Sequence, residues 1–446
     1  MMKKTLLFIF MVIGAVSYSQ DKWQQMMFDR NANFFDIQTD FNIYYKNQVK
    51  NLKNLPKGKG IKQFKRWEYY WENRVDENGN FPDDGYLLRE IERYRNSHSN
   101  GNQRYISGSG TWEIVGPVSS PNNGTGQLNG NGRVNCIAFH PTDANTIFAG
   151  APSGGFWKST DGGLTWTEHL DGLVRLGISS IVIDPNNPNT IYIGTGDRDG
   201  GDAPGYGVYR STDGGVTWSA RNSGMGNRTI NELIMNPTNS DILLAASSNG
   251  YVYRTTNGGA SWSFSSFLGI NPKDIAYHPT NSSIVYASGT ELHKSTDGGA
   301  TFSQITSGVP GSVQRIALAV SEDEPDWVYL LAGDGNGLVG VYRSTNSGAS
   351  FSTRTTTPNI LGWNTDGSGT GSQAWYDLVI AADPMDANTI YTGGVNLWKS
   401  TDGGTNMNCI SYWVGPNGGI DGVHADQHAL EFSPHTNDVY NGNDGG

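Results

Sequence analysis

Cysteine is nearly missing from this chain: 446 residues contain two, Cys136 and Cys409. That excludes a small fold stapled by disulfides. The two fall in different repeats, described below, and are expected as free buried thiols. Charge is also sparse, at 16% of residues. Beyond the first twenty residues no apolar run approaches the roughly 20 residues that span a bilayer, so no membrane span is expected. What is abundant is glycine, with 59 residues, together with 13 tryptophans and 21 tyrosines. Such a composition suits many short strands joined by tight turns.

The first nineteen residues read as a secretory signal. Lys3 and Lys4 precede an apolar stretch from Thr5 to Val16, and Ser17 and Ser19 offer small residues for cleavage before Gln20. The protein is therefore expected outside the cytoplasm, secreted or at the cell surface. Charge is unevenly spread. Residues 21–105 carry 15 basic and 12 acidic side chains, whereas residues 106–446 carry 14 basic and 30 acidic ones. An acidic domain repels phosphate backbones, so nucleic acid is not an expected partner.

Residues 20–95 have helical periodicity. Phe34, Ile37, Phe41 and Tyr44 recur on one face, as do Ile61, Phe64, Trp67 and Trp71, and a third stretch carries Leu87, Leu88, Ile91 and Tyr94. These aromatic stripes are either a ligand platform or, the reading favoured here, faces that pack on each other. Residues 96–110, rich in Ser, Gly and Asn, read as a linker.

From residue 111 onward the chain repeats itself. Lys158-Ser159-Thr160-Asp161-Gly162-Gly163-Leu164-Thr165-Trp166 returns as Arg210-Ser211-Thr212-Asp213-Gly214-Gly215-Val216-Thr217-Trp218. Looser copies contain Asn257 and Trp262, Asp297 and Phe302, Asn346 and Phe351, and Asp402. Successive copies start 52, 44, 40, 49 and 56 residues apart. That period fits one four-stranded propeller blade per copy. Upstream of each copy a short strand ends in a residue-Pro corner, as at His140-Pro141, Asp184-Pro185, Asn236-Pro237 and His278-Pro279. The prediction is an all-β propeller of about seven four-stranded blades over residues 111–446, preceded by the helical region. The seventh blade lacks a third strand and a box, so a truncated blade in an unclosed ring is expected, with Thr111-Trp112-Glu113-Ile114 offered as a donated fourth strand.

The box itself closes the hairpin between third and fourth strands. Its Ser and Asp oxygens accept from turn amides that no ladder satisfies, the Gly pair supplies positive φ, and the terminal aromatic returns to the sheet. Six copies argue for scaffold, since a reacting residue would be unique. The boxes lie opposite the face shared by the loops that join strands two and three and by those that lead into the next blade.

Three insertions fall on that shared face. Residues 194–202 carry Asp197, Asp199 and Asp202 between glycines, with Tyr206 following. Three carboxylates at flexible spacing suit Ca²⁺, but a solvated acidic turn is the favoured reading. Residues 353–377 carry Trp363, Trp375, Tyr376 and Asp377, a mixture suited to sugar rings and equally to loop packing. Last, residues 424, 426 and 428 share one side of an extended segment, so His424, Asp426 and His428 are a candidate divalent-metal set, with Asp444 as a fourth ligand. No cofactor beyond such a metal is implied.

The boxes match the S-x-D-x-G-x-T-W repeat of the Asp-box (BNR) proteins, which include sialidases, sortilin-type receptors and xyloglucanase-type hydrolases. With its residue-Pro corners, the chain most resembles the sortilin-type propellers of secreted Bacteroidetes proteins. Such proteins leave through the type IX route by a C-terminal sorting domain, which is not found in these 446 residues. The resemblance implies either a binding module for an extracellular glycan or protein, the favoured reading, or a xyloglucanase-like glycoside hydrolase. A sialidase would need an Arg-Ile-Pro motif and an arginine triad; the motif is missing and propeller arginines are few. The xyloglucanase pattern places a carboxylate in the first blade where this chain has Pro152, which neither donates nor accepts a proton.

Overall fold

The computed structural model describes residues 22–27, 29, 32–48, 60–82, 86, 89, 90, 93, 128–170, 177–201 and 203–446. The leader, the 96–110 linker, Thr111 to Ile114, the stripe at Leu87, Leu88, Ile91 and Tyr94, and Asp202 lie outside these residues. The chain divides into two compact units, residues 1–90 and 91–446.

The first unit contains α1 (Lys22–Met26), α2 (Phe34–Gln48) and α3 (Ile61–Trp71). Its core is aromatic: Trp23, Phe34, Phe41 and Phe64 are buried with Ile37. Phe41 and Phe64 stack with centroids 3.5 Å apart, and Phe34 stacks on Trp67 at 5.3 Å. The stripes of α2 and α3 therefore face each other, and their rings are spent on packing.

The second unit contains six four-stranded antiparallel sheets in sequence order. The first holds β1 (Cys136–Phe139), β2 (Ile147–Ala151), β3 (Gly155–Ser159) and β4 (Thr167–Glu168). The second holds β5 (Ile178–Ile183), β6 (Ile191–Thr195), β7 (Val208–Ser211) and β8 (Ser219–Ala220). The third runs from β9 (Ile230–Asn236) through β10 (Asn239–Ser247) and β11 (Tyr251–Thr255) to β12 (Ser263–Phe267). The fourth is β13 (Asp274–His278), β14 (Asn281–Ser288), β15 (Leu292–Ser295) and β16 (Ser303–Ile305). The fifth is β17 (Arg315–Val320), β18 (Val328–Asp334), β19 (Gly337–Ser344) and β20 (Ser352–Thr355). The sixth is β21 (Val379–Ala382), β22 (Ile390–Gly393), β23 (Leu397–Ser400) and β24 (Asn408–Cys409). A short parallel pair, β25 (Ser411–Tyr412) and β26 (Asp421–Gly422), follows. The last sheet has two strands, β27 (Gln427–Phe432) and β28 (Val439–Asn443).

Seven four-stranded blades are thus not what the described residues form; six sheets have four strands, and the parallel pair and the last sheet have two each. Nor is the ring open there. β27 packs against β21 on one side and β1 on the other. The amide of Val134 donates to Asn443 O at 3.0 Å, and Phe139 meets Tyr440 edge to face at 5.0 Å. Two strands are enough for the sheet to touch both neighbours because its inner strand, β27, makes both contacts.

Adjacent sheets are glued by apolar side chains from their facing surfaces. Tyr192 and Val208 of the second sheet, with Met225 of the connection that follows it, pack with Ile230, Leu243, Tyr253 and Trp262 of the third. The aromatic that ends the second box reaches back to the preceding sheet: Trp218 sits edge-on to Phe156 at 5.1 Å. In the intervening turn, Ser211 Oγ donates to Asp213 Oδ1 at 2.7 Å and accepts from the Gly215 amide at 2.9 Å. Asp213 in turn accepts from the Thr217 amide and hydroxyl. Those bonds, the Thr217 hydroxyl foremost, hold the Asp213 carboxyl down at about 2. Gly215 needs its glycine twice over, for φ is +93° and a Cβ would stand 2.8 Å from Phe156. The same bonds recur in the turns beginning at Ser159, Thr255, Ser295, Ser344 and Ser400.

Replacing the fully buried Phe156 therefore removes the ring on which the next turn rests. Phe156→Ala is expected to lower unfolding free energy by about 3–5 kcal/mol, read from the denaturant midpoint at unchanged slope.

Candidate functional site

Antiparallel strands alternate in direction, so the β6–β7 connection and the segments entering β1, β13, β17, β21 and β27 all meet at one end of the ring. The box turns lie at the other end. Within the β6–β7 insertion, Asp197 and Asp199 are buried, not solvated. Asp199 Oδ1 accepts from Lys273 Nζ at 3.3 Å and Arg315 at 3.0 Å; Oδ2 accepts from Arg198 Nε at 3.3 Å and His428 Nδ1 at 3.1 Å. One carboxylate thus binds groups from the second, fourth, fifth and last sheets. Burial alone would raise its pKa, but the cationic neighbours, Arg198 first, hold it well below the usual range. Asp197 is bound by Arg133 and by the amides of Asp199 and Gly200.

This corrects both sequence readings of that insertion. Asp197 and Asp199 form neither a solvated turn nor a calcium loop, because guanidinium, ammonium and imidazole groups already take up their oxygens. Tyr206 is corrected as well: it is 4% exposed, its backbone tied to Thr195 Oγ1 and Asn222, so it offers no ring to a ligand.

His428 has its second nitrogen 3.0 Å from Asp444 Oδ1. Carboxylates at both nitrogens favour the doubly protonated ring. Burial pulls its pKa down, but the bonds to Asp199 and Asp444 outweigh this and hold it above the ordinary 6.5. Asp444 also accepts from the Tyr376 hydroxyl at 2.9 Å, and that hydroxyl accepts from Arg133 at 2.8 Å. Burial and the neighbouring Asp444 push the phenol upward, so Tyr376 stays a neutral donor. Its ring meets His428 edge to face at 4.7 Å, and the adjacent Trp375 is 53% exposed at 5.3 Å. Trp363, 39% exposed, instead keeps company with Trp413, whose indole donates to its carbonyl at 3.1 Å.

The proposed metal set does not assemble as expected. Asp426 has φ +65° and strand β27 starts only at Gln427, so residues 424, 426 and 428 do not alternate along one extended segment. His428 has no nitrogen left to give. Among the described residues no three His, Cys, Asp or Glu side chains stand placed to hold a metal by themselves. Cys136 and Cys409 form no disulfide; the Cys409 thiol donates to Ser411 O at 3.1 Å, and burial pushes the Cys136 thiol up to about 12.

Arg133, Tyr376 and Asp444 also form one wall of a cavity of about 1010 Å³ that runs between the first sheet and β27–β28, past Pro152, Trp157 and Trp166.

The cationic partners, Arg133, Arg198, Lys273 and Arg315, are residues of this mouth that sequence reasoning missed. A signal exists for two members of the cluster. Lys273 and His428 stand six residues before the corner prolines Pro279 and Pro434, where earlier repeats hold Asn135, Ser179 and Asn231. All five are buried. A polar residue recurring at an inner-strand position marks the ring of side chains at this mouth.

A ring with this mouth and these turns has its likeness among the sortilin-type propellers. Residues 206–294 match the family described as sortilin, neurotensin receptor 3. More distantly the chain is similar to xyloglucanases. It is 33% identical over 106 residues to xyloglucanase Xgh74A of Acetivibrio thermocellus, covering 19% of this chain and 12% of that one. With a xyloglucanase of Hypocrea jecorina it shares 28% over 239 residues, covering 50% and 26%. Among solved structures, an ancestral GH74 enzyme superposes over 71% of this chain and 44% of its own with TM-score 0.56 at 19% identity. The GH74 xyloglucanase of Xanthomonas campestris gives 0.54 at 18%, over 71% and 51%. The chain spans about an eighth to a quarter of those two sequence relatives and about half of the structures.

Two outcomes follow for the buried charges. Asp199→Asn, which leaves four cationic groups short of a partner, is expected to cost about 3–5 kcal/mol in chemical denaturation. His428, with its folded pKa raised, contributes stability fully present below pH 6.5 and lost as pH climbs through the folded value. Glu232, pushed up to about 8 by burial, acts in the same direction. Wild-type stability should therefore fall above pH 6.5, and His428→Gln should make that fall shallower when the two denaturation-versus-pH curves are compared.

Proposed function

We propose that this chain is a secreted or cell-surface propeller that binds an extracellular glycan at the mouth. The observation that carries this is the Trp375–Tyr376 pair. An exposed indole stands beside a phenol whose hydroxyl is fixed by Arg133 and Asp444. A flat apolar face next to oriented donors and acceptors suits a pyranose ring, which offers C–H bonds on its faces and hydroxyls around its rim. The leader at residues 1–19 supports export, and no helix among the described residues is long and apolar enough to cross a membrane. Similarity to xyloglucanases over up to half the chain supports a glycan as the ligand class. Closure of the seventh blade to four strands, if further chain supplies them, belongs to the same proposal.

A second reading, hydrolysis, is favoured by one observation. Asp426 is pushed upward by burial and by Asp444, while hydrogen bonds from His428 and Tyr376 bring Asp444 below its ordinary value despite burial. Two carboxyls with pKa values driven apart are what a general acid and its partner require. Against it stands Pro152 at the mouth of the first sheet.

Affinity electrophoresis of the full chain through gels holding xyloglucan and other β-glucans tests the binding reading. Retardation by at least one glycan is expected, with Trp375→Ala weakening it about 10-fold, equivalent to about 1.4 kcal/mol. No retardation in any gel would overturn the proposal. Reducing sugar released from the same panel, and abolished by Asp444→Asn, would establish the hydrolytic reading instead.

A further inference from the structure

Behind the mouth lies a group that the binding site does not use. Asp377, immediately after Tyr376, is 1% exposed, and both of its carboxyl oxygens are enclosed without a hydrogen-bond donor. Its side chain neighbours that of Asp426, a half-buried residue with a left-handed backbone of φ +65°. Asp426 also has Asp444 nearby and accepts from Gln373 Nε2 at 3.2 Å. Gln373 is held close to Asp377 by its own backbone, since its carbonyl accepts from the Tyr376 and Asp377 amides at 2.7 and 3.0 Å.

An enclosed carboxyl group beside a second, half-buried one is costly unless something positive lies between them. The cations nearby are already engaged. Arg315 serves Asp199, Asp274 and Tyr376 O; Arg133 serves Asp197 and the Tyr376 hydroxyl; His428 serves Asp199 and Asp444. His424 turns its Nδ1 to Ala425 O, and Lys273 reaches Asp199 and Trp375 O. None of these side chains reaches the enclosed Asp377 oxygens.

We infer that the pocket between Asp377 and Asp426 binds a hard divalent cation of the Ca²⁺ class. Three side-chain metal ligands of the His, Cys or carboxylate kind do not meet here, but Ca²⁺ does not need them. It accepts six to eight oxygens, amide carbonyls and water among them, at adaptable angles. Gln373 supplies an amide oxygen when its terminal amide is turned over, an exchange that leaves its shape unchanged. The ligands are then the Asp377 and Asp426 carboxylates, Gln373 Oε1 and water. The ion neutralises the two acids and pins the Gln373–Asp377 segment, which carries Trp375 and Tyr376, to the entry of β27.

Terbium luminescence on the full chain tests this directly, because Tyr376 and Trp375 stand close enough to sensitise a bound Tb³⁺. Sensitised emission is expected, displaced by Ca²⁺, together with a melting temperature higher in about 1 mM Ca²⁺ than in chelator. Asp377→Asn and Asp426→Asn should each abolish both signals. A wild-type melting temperature equal in calcium and chelator, without terbium emission, would overturn the site and leave a shared proton as the link between the acids. That result needs no variant and stands even if both substitutions impair folding. Persistence of calcium-displaceable emission in Asp377→Asn would overturn it equally. Glycan retardation is read separately in each buffer, so failure of the cation site leaves the ligand site standing.

Discussion

The Asp199 carboxylate is the point on which the mouth depends. It lies on a connection of the second sheet, yet its four donors come from its own loop and from the fourth, fifth and last sheets. A fully buried carboxylate is unaffordable alone and secure only when its lone pairs are filled. Here they are filled by groups that only a formed ring brings together. Lys273 and Arg315 then use further hydrogens on the carbonyls of Trp375 and Tyr376, so the charge centre also sets the backbone of the exposed aromatic pair. The chain of contacts continues from His428 to Asp444, from there to the Tyr376 hydroxyl, and on to Arg133 and Asp197. The third sheet joins through Asn231, which donates to Asn271 Oδ1 and Pro272 O beside Lys273.

Much of the scaffold was legible because its signals are local. A box spans nine residues, and the hydrogen bonds that justify its Ser and Asp close within four positions. A residue-Pro corner marks the end of an inner strand for the same reason. The two strands of the last sheet were legible, but the closure they make was not. Whether β27 touches both neighbours depends on contacts between residues about 300 positions apart, such as Phe139 and Tyr440.

The mouth was legible only in outline. The three insertions were identifiable by length, and two of them supply Asp197, Asp199, Trp375, Tyr376 and Asp377. Their chemistry was misjudged where the partner lies far along the chain. Asp197 and Asp199 read as calcium ligands or a wet turn because their neutralising cations are up to 229 positions distant. His428 read as a metal ligand because a histidine's role is set by what its two nitrogens meet, and both of its partners are non-local in the fold. Asp426 failed for a different reason: alternation along a strand presumes extended backbone, and a left-handed residue breaks the count.

The balance of charge at the mouth bears on what it can do. Binding a neutral glycan asks for fixed donors and acceptors and for an aromatic face, all of which a rigid network supplies at little ordering cost. Hydrolysis asks for more: an acid with its proton free to move toward a glycosidic oxygen, and a second carboxylate facing the same bond. Asp444 is only partly open and already receives His428 and Tyr376, so its lone pairs are committed before any substrate arrives. Asp377 is enclosed beside Asp426 and is not among the residues that line the cavity. The network that makes the mouth rigid thus spends the very groups that catalysis would need free, and that is the physical ground for reading this face as one that holds its ligand.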